Sequence, residues 1–250
     1  TPNTITIGAG KTLQIDRSFT IGYNSAANST TRLTVSGAGT FKVGDVGAPT
    51  NQGFLVGNGG SSGISNAATL DLSGLGTFYA NLGSGTLRVG DAANASGGGS
   101  SANGSTLILA ADTTIIAATI TSDNPTSNAI QRIKLGNGTN VLNANTITIG
   151  GAANRASGTL DFNASTGTVQ VRALDGVGRT AMNVQNGNAG TGANLLGTVD
   201  FTGHSANLLL STLAVGGRSA ATTAAGTGIF SFDSGTLDAT TVNIAARTGT

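Results

Sequence analysis

The sequence predicts an all-β chain wound into a parallel β-helix, a β-solenoid of about seven irregular coils of roughly 30–40 residues each. Three observations carry this expectation. The composition favours strands and turns over helices. Two kinds of short strand recur along the chain. The spacing of those recurrences is that of stacked repeats.

Glycine supplies 40 of the 250 residues and proline only 3. Charged residues are 9% of the chain, against about 25% in ordinary globular domains. There is no glutamate, so the eleven acids are all Asp, and nine of the twelve bases are Arg. Glu and Lys are the residues that usually build exposed helix faces, so their scarcity argues against surface helices. Thr, Val, Ile, Ala, Asn and Gly dominate, a mixture suited to strands and tight turns. Collagen is excluded, because no G-X-Y period is present. Hydrophobic residues at 38% and a net charge of +1 favour an ordered fold over disorder.

The first strand type has the form apolar-x-apolar-Gly: "ITIG" (5–8), "FTIG" (19–22), "FKVG" (41–44), "FLVG" (54–57), "LRVG" (87–90), "ITIG" (147–150) and "LAVG" (213–216). The second comprises "RLTV" (32–35), "TLDL" (69–72), "TLIL" (106–109), "TLDF" (159–162), "TVDF" (198–201) and "GIFSF" (228–232). Alternation with period two sends one set of side chains inward and the other outward. Successive second-type strands lie 37, 37, 53, 39 and 30 residues apart. The long gap contains "RIKLG" (132–136), which predicts an irregular or extra coil there. Leu33, Leu70, Leu107, Leu160, Val199 and Ile229 are expected to form one inward column. Val35, Leu72, Leu109, Phe162, Phe201 and Ser231 or Phe232 should form the next. Val169 and Val171 belong to a further inward set. The glycine closing the first strand type is expected at a corner. The segment after it varies from the short 151–158 to the long 91–105, and such insertions map to one side of a solenoid. The whole of 1–250 reads as a single β-solenoid domain, a segment of a longer array or a stacking subunit.

The segments "GTLDFNASTGTVQVRALDGVG" (158–178), "GTVDFTGHSANLLLSTLAVGGRS" (197–219) and "SGTLDATTVNIAARTGT" (234–250) resemble the repeat-rich passenger regions of bacterial autotransporters and related surface adhesins. The resemblance rests on composition and period and extends over nearly the whole chain. It implies a right-handed parallel β-helix at the outer cell surface. It assigns no functional residue, because these repeats carry no catalytic signature.

No motif for chemistry stands out. "GAGKT" (8–12) lacks the first glycine of a phosphate loop and precedes a strand rather than a helix. Gly59-x-Ser61-x-Gly63 matches a nucleophile elbow formally, yet lies in a glycine run, and His204 is the only histidine. His204 is expected in an exposed turn. Asp71, Asp161 and Asp200 share one outward strand position, readable as a carboxylate ladder for Ca²⁺ or acid–base work, or as a solvated row. Arg155, Arg172, Arg179 and Asp175 form the one modest charged cluster. Asn-x-Ser/Thr occurs at Asn28, Asn94, Asn103, Asn137 and Asn163, about the number that chance supplies. No catalytic, cofactor or metal site is therefore expected.

Without cysteine there is neither a disulfide framework nor a thiolate metal site. No apolar run approaches the roughly 18 residues that span a bilayer, and the start shows no signal-peptide pattern. Near-zero net charge gives no basic footprint for nucleic acid. The expectation is a non-enzymatic extracellular structural or adhesive solenoid, a surface stalk or filament subunit. Its partners would be further repeats, another copy end to end, or surface glycans. A polysaccharide-binding or -processing β-helix is the alternative. Ice binding through Thr-x-Thr segments, as in "TITIG" at 4–8 and 146–150, is a third reading.

Overall fold

The computed structural model describes residues 3–22, 30–44, 52–57, 67–90, 104–123, 129–151, 156–185, 195–217 and 226–245. Among them are eighteen strands and no helix. The strands are β1 (Asn3–Thr6), β2 (Thr12–Ile15), β3 (Phe19–Ile21), β4 (Thr30–Val43), β5 (Gly53–Val56), β6 (Ala67–Asp71), β7 (Leu75–Val89), β8 (Thr106–Ile108) and β9 (Asp112–Ser122). They continue with β10 (Ile130–Leu135), β11 (Thr139–Ile149), β12 (Ser157–Phe162), β13 (Thr168–Arg172), β14 (Thr180–Val184), β15 (Leu195–Asp200), β16 (Ser205–Val215), β17 (Gly226–Ser231) and β18 (Ser234–Ile244).

Every pairing between them is parallel, and they stack as a solenoid with three faces. Face one runs β1, the start of β4, β6, β8, β10, β12, β15, β17, which makes eight layers. Face two runs β2, the end of β4, then the first halves of β7, β9 and β11, then β13 and the first halves of β16 and β18. Face three runs β3, β5, the second halves of β7, β9 and β11, then β14 and the second halves of β16 and β18. At the spacing of parallel strands the stack is about 35 Å long. The layer beyond the expected seven is the one that starts with β10. Its "RIKL" fills the long gap, pairing with β8 above and β12 below.

The second strand type lies on face one throughout. Leu33, Leu70, Leu107, Ile133, Leu160 and Val199 form one inward column, and all but Leu33 are fully buried. The column ends on Phe230, which pairs with Val199. Ile229 stands in the outward row, 42% exposed, because "GIFSF" enters the ladder one residue later than its glycine suggests. That one-residue slip turns every side chain of the strand over. The first strand type is less uniform than its sequence. "ITIG" at 5–8 begins in β1 on face one and "FKVG" ends β4 on face two, whereas the other five lie on face three.

Hydrophobic residues fill the inside of the triangle. Phe19 stacks on Phe54 with centroids 5.0 Å apart, and Phe41 and Phe78 follow at 5.6 Å. Several buried polar side chains have partners in place, whereas among the described residues Gln185, treated below, is unpartnered at both ends of its amide. Asn140, fully buried in layer five, accepts from the Gly136 N–H at 2.9 Å and donates to the carbonyls of Gly136 (3.0 Å) and Thr168 (3.1 Å). It ties the turn between faces one and two to the next layer. Ser105 likewise accepts from Ala68 N–H at 3.1 Å while its own N–H donates to Gln131 Oε1 at 2.7 Å.

Val169 and Val171 both point inward, 2% and 0% exposed. Val171→Asp should therefore lose several kcal/mol, on the order of 3 or more, because an unpaired carboxylate replaces a packed side chain. Gln170→Asp, one residue away on the outward row, should stay within about 0.5–1 kcal/mol. Urea unfolding followed by circular dichroism compares them. Equal midpoints would contradict this register.

Candidate functional site

The third corner, where each layer leaves face three for face one of the next, is the most constrained feature of the backbone. Gly22, Gly57, Gly90, Gly150 and Gly216 stand there with φ of +85°, +91°, +113°, +70° and +69°. Each of the last four donates its N–H to the residue ending face three in the layer above, as Gly90 does to Val56 O at 2.8 Å. Their Cα positions press against the start of face one. A Cβ on Gly22 would lie 2.7 Å from Ala68 Cβ, and one on Gly150 would lie 3.0 Å from Gly197 Cα. On the other side of the contact, a Cβ on Gly228 would meet Gly216 N at 2.5 Å. Glycine is needed here both for the left-handed conformation and for the close approach. Between strand ends, the seven connections from face three to face one of the next layer, 22–29, 57–66, 90–105, 123–129, 150–156, 185–194 and 216–225, vary from seven to sixteen residues. Their flanks are pinned together, so length can change between them without disturbing the stack.

The candidates for chemistry are placed as follows. "GAGKT" is a tight turn closed by Lys11 N–H to Gly8 O at 3.0 Å, and it leads into β2. Gly59, Ser61, Gly63 and Arg155 lie outside the described residues, as do Asn28, Asn94 and Asn103; Asn137 and Asn163 are exposed. The two "TITIG" segments lie on different faces, face one and face three, so their threonines do not share a surface.

His204 is in a turn, as expected, but is only 8% exposed. Its ring stacks on Phe162 with centroids 3.7 Å apart and planes nearly parallel, at 8°. Phe162 ends its strand at a corner, and the imidazole from the following layer covers it.

Asp71, Asp161 and Asp200 do share one outward row, which reads Thr34, Asp71, Ile108, Lys134, Asp161, Asp200 and Ser231 down the stack. Two of the acids are tied to cations in neighbouring layers, Asp71 to Arg32 at 2.9 Å and Asp161 to Lys134 at 2.6 Å. Asp161 and Asp200 are direct neighbours in register. Asp200 turns one oxygen to its own strand end, accepting from Thr202 N–H at 3.0 Å. The Arg172, Arg179 and Asp175 cluster is also spent on structure. Arg172 binds the Asn207 side chain at 2.9 Å. Arg179 reaches two layers down to clasp both oxygens of Asp238 at 2.9 Å each. Asp175 accepts from the N–H groups of Val177 (2.9 Å) and Gly178 (2.7 Å). These hydrogen bonds hold the Asp175 and Asp238 carboxyls below the ordinary carboxylate range and raise Arg179. Among the described residues no cluster of three or more metal-ligating side chains occurs, and no helix is long and apolar enough to cross a membrane.

Two residues escape sequence reading. Asp123 takes the third-corner position in layer four, where its neighbours have glycine, and is 8% exposed. It is ion-paired to Arg88 on the layer above, whose guanidinium crosses the outward-facing Thr121 to reach it. Gln185 takes the same position in layer six. The available signal was the missing glycine after "TITS" (119–122) and after "MNV" (182–184).

Burial pushes the Asp123 carboxyl above its ordinary value, against the pull of Arg88 and Thr121. Asp71 also feels burial, but the Ser73 hydroxyl and N–H and the Arg32 guanidinium outweigh it and lower its pKa. The two therefore act in opposite senses. The Asp71 contribution to stability is present above the unfolded carboxylate pKa and is lost as pH falls through the lowered folded value. The Asp123 contribution is full below the unfolded pKa and is lost as pH rises through the raised one. Asp71→Asn should narrow the stability difference between pH 7 and pH 3, and Asp123→Asn should widen it. Denaturant titrations at the two pH values read this directly, and changes of the same sign would refute it.

No family model, no curated protein and no solved structure matches this chain.

Proposed function

We propose that this solenoid is a non-catalytic structural and adhesive element of a bacterial outer surface, a stalk or filament segment like the autotransporter passengers it resembles. The observation that carries this reading is the third corner. Seven of the long connections join strands across this one edge, from face three to face one, and their unequal lengths leave the rod unchanged, which is how repeat scaffolds present binding surfaces. The charged side chains fit the same reading, because so many of them hold layer to layer. The partners are surface glycans along the rod and a further β-layer at its end. The further layer belongs to neighbouring repeats or to another copy. It is supported by the inward row of layer eight, where Val242 is 51% exposed, whereas Leu213 and Met182, one and two layers above it in the same column, are 3% and 0%. Apolar rows and unpaired strand edges of this kind are covered by another strand.

One observation favours a second reading, polysaccharide processing on face one. Asp161 and Asp200 are neighbours in register beside Lys134, and paired carboxylates are the groups that do acid–base work on glycosidic bonds. A single experiment separates the two. Beads carrying the chain are offered immobilised acidic and neutral glycans and a surface coated with the chain itself, and the supernatants are assayed for new reducing ends. Retention with no sugar released is expected. Released sugar that disappears in Asp161→Asn would establish the second reading, and beads that bind neither glycan nor chain would overturn the first.

A further inference from the structure

We infer that β14 is a built-in opening point, the strand of layer six that separates from its neighbours before the rest of its layer does. Three independent irregularities meet on these five residues. At its start the register against β16 shifts between Thr180 and Ala181, with Ser211 left over on the partner strand. At its end Gln185 occupies the third corner with φ of +47°, where the adjacent layers have Gly150 at +70° and Gly216 at +69°. A side chain other than Gly or Asn is strained in that conformation. The Gln185 amide is also fully buried with neither Oε1 nor Nε2 hydrogen-bonded, lodged against Gly150 and Gly226. An orphaned buried amide favours any state that lets water in.

Across corner two, β13 is the natural comparison. It lies in the same layer, between the same two strands β11 and β16, and pairs with both without a shift. The strand that opens is strapped at its beginning. Arg179 immediately precedes it and spans layers six to eight, donating to Leu210 O at 3.1 Å and to the Asp238 carboxylate. This exposed strap and the strained Gln185 oppose each other across the five residues of β14.

Hydrogen exchange on the intact chain, read separately for 168–172 and 180–184, tests the idea. Fraying from the end of the stack would affect both strands alike, so it does not imitate the effect. The β14 amides are expected to exchange about tenfold faster than those of β13. Gln185→Gly should slow β14 by about tenfold, as relief of one left-handed residue implies, and leave β13 unchanged. Arg179→Ala should speed β14 alone. Should the glycine leave a gap, Gln185→Asn keeps a side chain that tolerates the left-handed region and should also slow exchange. Equal exchange in the two strands, or no slowing with either Gln185 variant, would overturn the inference.

Discussion

The third corner is the constraint on which the rest of the molecule depends. Two backbone segments meet there closely enough that a Cβ on Gly228 would sit 2.5 Å from Gly216 N, and one on Gly158 2.7 Å from Gly150 N. Contact at these distances fixes where face three must stop and where face one must begin. Once those points are fixed, the three strand segments of a layer have only one way to lie over the layer above, and the inward columns follow. The corner also explains how connections of seven to sixteen residues between strand ends can share one scaffold. Loop closure becomes only slowly more unfavourable with length, and here the flanks are held together by the stack itself.

Exceptions at this corner teach as much as the rule. Asp123 replaces the glycine in layer four and must place a carboxylate in a nearly closed space, which it does by drawing Arg88 across the outside of face three. Gln185 replaces it in layer six and finds no partner for either end of its amide. Asp123 gains an ion pair and stays out of the left-handed region, whereas Gln185 has neither advantage. That difference separates a firmly closed layer from one that opens, although both residues occupy equivalent positions in the sequence pattern.

Face one was the most legible part of the fold. Its "TLDL" and "TLDF" segments alternate cleanly, and a strand's period determines which residues turn inward. Legibility failed where local pattern underdetermines place. "ITIG" at 5–8 and at 147–150 are identical tetrapeptides on different faces, because four residues of alternation specify a strand but not its position around the coil. Alternation alone does not choose Phe230 over Ile229 as the inward residue, because both are apolar and only the ladder to Val199 decides between them. A turn residue next to Gly203, such as His204, is expected at the surface; the Phe162 ring on which it stacks lies forty-two residues away in sequence. The charged rows were half visible. The shared position of Asp71, Asp161 and Asp200 could be read from spacing, but the cations that hold two of them depend on which layers are neighbours.

Backbone contact at the third corner, and not the charged rows outside, is the main support of the stack. Chemical denaturation of Gly90→Ala beside the double variant Arg32→Ala/Lys134→Ala weighs the two directly. Gly90 combines φ of +113° with the clash against Asp123 O, so its alanine variant should lose about 3 kcal/mol or more, if it folds at all. The double variant removes two surface ion pairs and should lose less than about 2 kcal/mol in total. A Gly90→Ala protein as stable as the wild type, with the double variant severely weakened, would contradict it.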